Sequence, residues 1–251
     1  MKGIFVTGTD TNIGKTFVSC MITRVLKAYG IDVGVMKPFA TSHRRYSSMF
    51  SSEDVWRLAR AAKAADPDDL MNPFFYQIGT APFLAAIMSG RPTPNMSVAV
   101  KKLRRLSKQH EFLVVEGIGG IMVPISRRET LLDFIKMVGF PAIIVTSPKL
   151  GTINHTLLTF HACLSRKIKV YAIIINKKPE TTSKVQDRLG SLLSTLTGVK
   201  RIIEIPRMRN DHNLKSVEDL IARELFDLES SKNILGHNKS FQNSRSETWS
   251  L

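Results

Sequence analysis

Five side chains in this sequence are of types that handle phosphate: Lys15, Thr16, Lys37, Asp54 and Glu116. The first two close the run Gly8-Thr9-Asp10-Thr11-Asn12-Ile13-Gly14-Lys15-Thr16. Glycines in such a loop let backbone N–H groups approach phosphate oxygens. A helix starting there adds unpaired donors and the positive end of its dipole. Lys15 is then placed to reach the outer phosphates, and the Thr16 hydroxyl to ligate Mg²⁺. A standard phosphate-binding loop has four residues between its first glycine and Gly-Lys-[Ser/Thr]. Here five separate Gly8 from Gly14, so the loop is a lengthened variant. The plainer alternative is a strand-to-helix turn that happens to contain Gly-Lys-Thr. The flanks decide for the loop: Ile4-Phe5-Val6 precedes it as a strand, and Phe17, Val18, Met21, Ile22, Val25 and Leu26 follow at helical spacing.

Each remaining candidate has a bland reading when taken alone. Lys37 would be a solvated strand-end lysine, and Asp54 a first-turn carboxylate complementing a helix dipole. Glu116 and Asn176 would be turn residues. Together they supply what a nucleoside triphosphate site needs. Mg²⁺ takes oxygen ligands, available from Thr16 and one or two carboxylates. A second cation opposite Lys15 would neutralise charge growing on a transferring phosphoryl group. An amide such as Asn176 can pair with a purine edge. No rival chemistry competes: His155 and His161 are six apart on a helix and face different ways, against zinc. Cys20 and Cys163 have no ligand spacing and read as buried thiols.

These residues must be held by elements, and the elements alternate. Strands are expected over 2–7, 32–36, 112–115, 142–145, 170–175 and 202–205. Helices are expected over 15–29, 53–65, 82–88, 97–109, 131–138, 152–165, 182–196 and 216–228. Pro38 should end the second strand. The serine-rich stretch 41–52 and the chain from Asn72-Pro73 onward read as loops. The alternation predicts an α/β, doubly wound, mostly parallel sheet with helices on both faces. Ligands of such sheets bind beyond the strand C-termini. Lys15, Thr16, Lys37, Thr41, Glu116, Gly151, Thr152, Asn154 and Asn176 should therefore converge on one crevice.

Composition narrows the class. With 251 residues and 43% hydrophobic content, the chain can bury a core. No apolar run approaches the roughly 18 residues a membrane span needs, and the N-terminus enters a strand at once, so a cytoplasmic protein is expected. The net charge of +15 is scattered over short basic pairs without aromatic interleaving. That favours solvated faces around an anion site over a nucleic-acid surface. Residues 1–228 read as one domain. Residues 229–251, rich in Ser, Asn and Lys, read as a flexible tail.

The motifs at 8–16, Lys37-Pro38-Phe39-Ala40-Thr41, Val115-Glu116-Gly117-Ile118-Gly119-Gly120 and Lys149-Leu150-Gly151-Thr152-Ile153-Asn154-His155 resemble those of the dethiobiotin synthetase family, extra loop residue included. Glu204-Ile205-Pro206 is similar to a short motif near that family's C-terminus. The resemblance covers roughly residues 1–228. It implies a homodimeric ligase with ATP and Mg²⁺, joining 7,8-diaminopelargonate and CO₂ into a ureido ring, with no nucleic acid or membrane partner. It implies Lys37, Lys15 and Thr11 as catalytic residues, and Thr16, Asp54 and Glu116 as Mg²⁺ ligands. The nucleotide would meet Asn12, Ile13, Gly14, Gly117, Ile118, Gly119, Asn176, Lys177, Pro206, Arg207 and Met208. The substrate would meet Thr11, Thr41, Gly151, Thr152 and Asn154. Phe83, Arg207 and Asn213 depart from the family pattern and bear on nucleotide preference.

Two other P-loop classes compete. A partitioning ATPase binding DNA or membrane would suit the charge, but it places a second lysine early in its loop. Residues 9–13 contain none. A corrinoid amidotransferase-type synthetase would need a further glutaminase domain.

Overall fold

The computed structural model describes residues 2–177, 186–206 and 214–228. Its main sheet has six strands: β1 (Gly3–Gly8), β2 (Val33–Met36), β5 (Phe112–Glu116), β6 (Ala142–Thr146), β7 (Val170–Asn176) and β8 (Ile202–Ile205). They run in the order β2-β5-β1-β6-β7-β8, and every pairing is parallel. The strands are short, β-branched and buried on both faces. In β1, Ile4 and Val6 enter one core while Phe5 enters the other.

Helices cover both faces, as parallel crossovers require. On one side lie α1 (Lys15–Ala28), α2 (Glu53–Ala62) and α9 (Leu214–Phe226). On the other lie α5 (Met96–Gln109), α6 (Leu131–Val138), α7 (Thr152–Ser165) and α8 (Gln186–Thr197). Each amphipathic stripe packs on alternate strand residues. Val18, Ile22, Val25 and Leu26 of α1 sit over β1, and Leu103 and Leu106 of α5 sit under β5. The expected doubly wound architecture is the one observed.

Several boundaries differ from the sequence expectation. Strand β2 ends at Met36, ahead of Pro38 as expected, but the extended chain then starts again. Three residues resume as β3 (Phe39–Thr41), which pairs in parallel with β4 (Phe74–Tyr76) to form a separate two-stranded sheet. The segment from Asn72 was expected as a loop. Instead α3 (Asp68–Met71) and β4 flank it, followed by α4 (Pro82–Met88). Helix α2 stops at Ala62 rather than Ala65 because Lys63 turns left-handed at φ 52°. The helix expected over 182–196 is described from Gln186 to Thr197, and its first four expected residues lie outside the described residues. The tail from residue 229 also lies outside them.

Candidate active site

The loop between β1 and α1 supplies the first wall. Its lengthening is absorbed at Asn12, which sits left-handed at φ 54°. Asparagine is among the residues that tolerate that conformation best. Gly14 is left-handed too, at φ 96°, and the reason for glycine is also steric: a Cβ there would lie 2.1 Å from Asn176 Nδ2. That same Asn176 amide donates to the Ile13 carbonyl at 2.9 Å. The last residue of β7 therefore straps the phosphate loop to the sheet.

Lys15 opens α1 with its side chain folded back, Nζ donating to the Asp10 carbonyl at 2.7 Å. Only 7% of Lys15 is exposed. Burial pushes its ammonium down to about 8 from 10.5, and Lys37 nearby adds to the effect. Glu116, Asp54 and Asp10 pull it back only in part.

Lys37, just past β2, behaves in the opposite way. Burial opposes its charge, yet Glu116 and Asp54 outweigh it and hold the ammonium above the ordinary lysine value. Its Nζ donates to Glu116 Oε1 at 2.7 Å and pairs with Asp54 Oδ2. Asp54 sits in the first turn of α2. Burial would raise its carboxyl, but Lys37 and then Thr16 hold it low. Glu116 is the last residue of β5 and fully buried, rather than in the turn beyond the strand. Burial pushes its carboxyl up, and Lys37 offsets this only in part.

Thr16 Oγ1 lies 3.0 Å from Asp54 Oδ1 and 2.8 Å from Glu116 Oε1. Glu116 Oε2 is buried with no hydrogen-bond partner. A hydroxyl, two carboxylates and an orphaned carboxylate oxygen are hard oxygen donors of the kind Mg²⁺ takes. Among the described residues no cluster of three His, Cys, Asp or Glu side chains could hold a metal, so the Thr16 hydroxyl would be a necessary member of that set.

These groups line one cavity of about 490 Å³. The structure brings Thr11, Asn12, Gly14, Lys15, Thr16, Lys37, Thr41, Asp54, Glu116, Ile118 and Gly119 together there. Ile13 is buried behind the loop, and Gly117 is packed so closely that a Cβ would meet Leu131 at 2.8 Å. Asn176, Lys177, Pro206, Gly151, Thr152 and Asn154 do not line this cavity. Lys177 pairs with Glu204 at 2.7 Å, and Pro206 is exposed. Arg207 and Met208 lie outside the described residues.

Thr152, at the start of α7, connects to the phosphate loop through hydroxyls. Thr146 Oγ1 lies 2.8 Å from Thr152, 3.1 Å from Thr156 and 3.3 Å from Thr9. At the mouth, Lys149 Nζ reaches Asp10 Oδ2 at 2.7 Å, and this pair holds the Asp10 carboxyl below the usual range.

The sequence reading missed Arg57 and Phe17 in the lining. Arg57 stands three residues after Asp54, one helical turn on, and that spacing was the available signal.

A family model described as an AAA domain matches residues 2–213. The chain is 41% identical over 213 residues to the ATP-dependent dethiobiotin synthetase BioD of Nitrosopumilus maritimus, covering 85% of this chain and 92% of the relative. The chain belongs to the dethiobiotin synthetase family. A second dethiobiotin synthetase, from Endomicrobium trichonymphae, is 37% identical over 218 residues, with 85% of this chain and 94% of the relative covered. The chain is also similar in shape to a structure of the MinC:MinD cell division protein complex of Aquifex aeolicus, with a TM-score of 0.51 at 12% identity, covering 94% of this chain and 97% of that one. At that identity the likeness shows a shared fold and nothing finer. Membership in the dethiobiotin synthetase family rests on the sequence relatives.

Proposed function

We propose that this chain closes the ureido ring of dethiobiotin from 7,8-diaminopelargonate, CO₂ and ATP, releasing ADP and phosphate, and that Lys37 is its central catalytic group. One observation carries the reading: two buried lysines, Lys15 and Lys37, face a single cavity that also holds Thr16, Asp54 and Glu116.

The chemistry needs an amine of the substrate to capture CO₂ as a carbamate. A carbamate oxygen then attacks the γ-phosphorus of ATP, and ADP leaves. The second amine attacks the carbamoyl carbon of the mixed anhydride, and phosphate leaves as the ring closes. Lys15 and the backbone donors of residues 12–16 grip the phosphates. Mg²⁺ held by Thr16, Asp54 and Glu116 would neutralise phosphate charge. Lys37 holds its ammonium beside the carbamate and the transferring group, where charge develops. Its contacts with Glu116 and Asp54 favour the cation, which suits it to charge stabilisation rather than to taking a proton. Thr11 and Thr41, both in the cavity lining, orient the diamine.

The start of α7, with Gly151, Thr152 and Asn154, would receive the substrate's carboxylate at a helix N-terminus. Next to it Leu150 is fully exposed and Leu158 is 63% exposed, which supports a second subunit covering this face in a homodimer. Among the described residues no helix is long and apolar enough to cross a membrane. We expect the enzyme to act in the cytoplasm without a nucleic-acid or membrane partner.

The deciding experiment is ATP hydrolysis with and without diaminopelargonate and bicarbonate. Turnover that requires both, with dethiobiotin as product, is the expected result. Hydrolysis indifferent to both but stimulated by DNA overturns the reading in favour of a partitioning ATPase.

A further inference from the structure

Lys37 is fixed by its main chain as much as by its ion pairs. Its N–H donates to the Met71 carbonyl at 2.9 Å. The backbone of the residues that follow Met71 offers little to the Lys37 carbonyl: the Asn72 N–H is turned back into α3, and Pro73 has no N–H. The Asn72 side chain supplies a donor, with Nδ2 donating to the Lys37 carbonyl at 2.7 Å in a buried contact.

Asn72 is itself rigidly placed. It is 4% exposed, and its N–H donates to the Asp68 carbonyl at 2.6 Å where α3 ends. Nδ2 also lies 3.4 Å from the Phe74 carbonyl, so its nitrogen faces two acceptors and the amide orientation is settled. Its Oδ1 is buried without a partner, a desolvation penalty tolerated for what the nitrogen does. The Pro38 carbonyl beyond accepts from Phe74 N at 3.2 Å, and β3 and β4 then pair. Together with the Lys37 N–H bond to Met71, the Asn72 amide thus ties the two segments just ahead of that pairing, and Lys37 is the residue it holds.

We propose that Asn72 is a positioning residue for catalysis: by donating its side-chain amide to the Lys37 carbonyl, it fixes that carbonyl and so sets where the Lys37 ammonium meets Asp54 and Glu116. This rests on the role given to Lys37 above. Asn72 does not line the cavity and touches no substrate there.

The test uses the full chain with Asn72→Ala and the volume-conserving Asn72→Asp. We expect kcat to fall about tenfold or more in both variants, as a displaced catalytic group dictates. ATP affinity, set by residues 8–16, should change by less than about twofold, because that wall lies apart from the tie. Parental kcat in a folded variant overturns the proposal. So does an equal loss of ATP affinity. Should Asn72→Ala not fold, Asn72→Asp carries the comparison alone. Acylation of the Lys37 amine by acetic anhydride, mapped by mass spectrometry, separates the two readings. A parent enzyme without ligase activity sinks the proposed function, whereas identical Lys37 labelling in parent and variant sinks the role of Asn72.

Discussion

At the C-terminal ends of the strands, Lys15, Lys37 and Glu116 are charged groups sealed from water and turned toward one another. At the N-terminal ends of the same sheet the charges lie further out. Lys169 and Lys200 are exposed, and Arg201 rests over the Tyr171 ring at 4.8 Å while pairing with Asp227. A shallow groove of about 370 Å³ lies there. Its cations point into solvent, where they cost little. Deeper on that side, His110 sets one ring nitrogen 2.8 Å from Asp32 and the other 3.1 Å from Asp66, tying β2 and α5 to the chain after α2. Both ends are polar, but only the C-terminal end gathers several buried charged side chains around one cavity. A buried ion must be paired or it shifts its protonation, so a cluster of them persists only where something else is gained. At the upper end the gain proposed above is chemistry, whereas at the lower end His110 and Asp66 pair within the fold.

The contrast is sharpest at Lys37. Replacing it with alanine should cut kcat by a hundredfold to a thousandfold, roughly what losing one transition-state donor costs, while the protein stays folded. Steady-state kinetics with circular dichroism checks this, and near-normal turnover would erase the distinction between the two ends. Glu116→Gln should raise the Mg²⁺ concentration for half-maximal activity by about tenfold or more. An unchanged metal titration removes Glu116 from the cation site.

At the other end, His110→Ala should cost about 1–3 kcal/mol in stability, the scale of hydrogen bonds to charged groups. Denaturant unfolding reads that loss. Its kcat should stay within about twofold of the parent, since distant sites act independently. A large drop in kcat would break the comparison from below.

The smallest expected effect concerns pH. Lys15 holds its proton less tightly folded, at about 8, than unfolded, near 10.5. Above pH 8 the unfolded chain therefore binds more protons, and stability should rise with pH. The rise ends near pH 9, because the Cys20 and Cys163 thiols, pushed up to about 12 by burial, then act with the opposite sign. Lys15→Met should abolish the increment between pH 8 and 9, measured by urea unfolding at each pH.

The upper end was also the legible one. Lys15, Thr16, Asp54 and Glu116, which the structure brings to one cavity, were legible because strand ends and helix starts show in hydrophobic periodicity, and a parallel sheet gathers those ends. The strands and helices packed on the core showed for the same reason. The pair β3 and β4 did not. Its strands are three residues long, too short to show a period, and Asn72-Pro73 carries the signature of a turn. The amide that holds the Lys37 carbonyl depends on how the two segments meet, which a single sequence does not contain. Asn176 was legible as a strand-end residue. Its bond to the Ile13 carbonyl follows from how tightly Gly14 lets the loop approach β7.

The chain of threonine hydroxyls from Thr9 through Thr146 to Thr152 and Thr156 has a consequence for anyone redesigning this enzyme. The loop proposed to cradle one reactant and the helix start proposed to face the other share a single relay of side chains, all small and one of them common to every link. Enlarging either pocket by moving its wall will be felt at its counterpart. Thr146→Val, which keeps the shape and silences the relay, is the change that would let the two pockets be tuned separately.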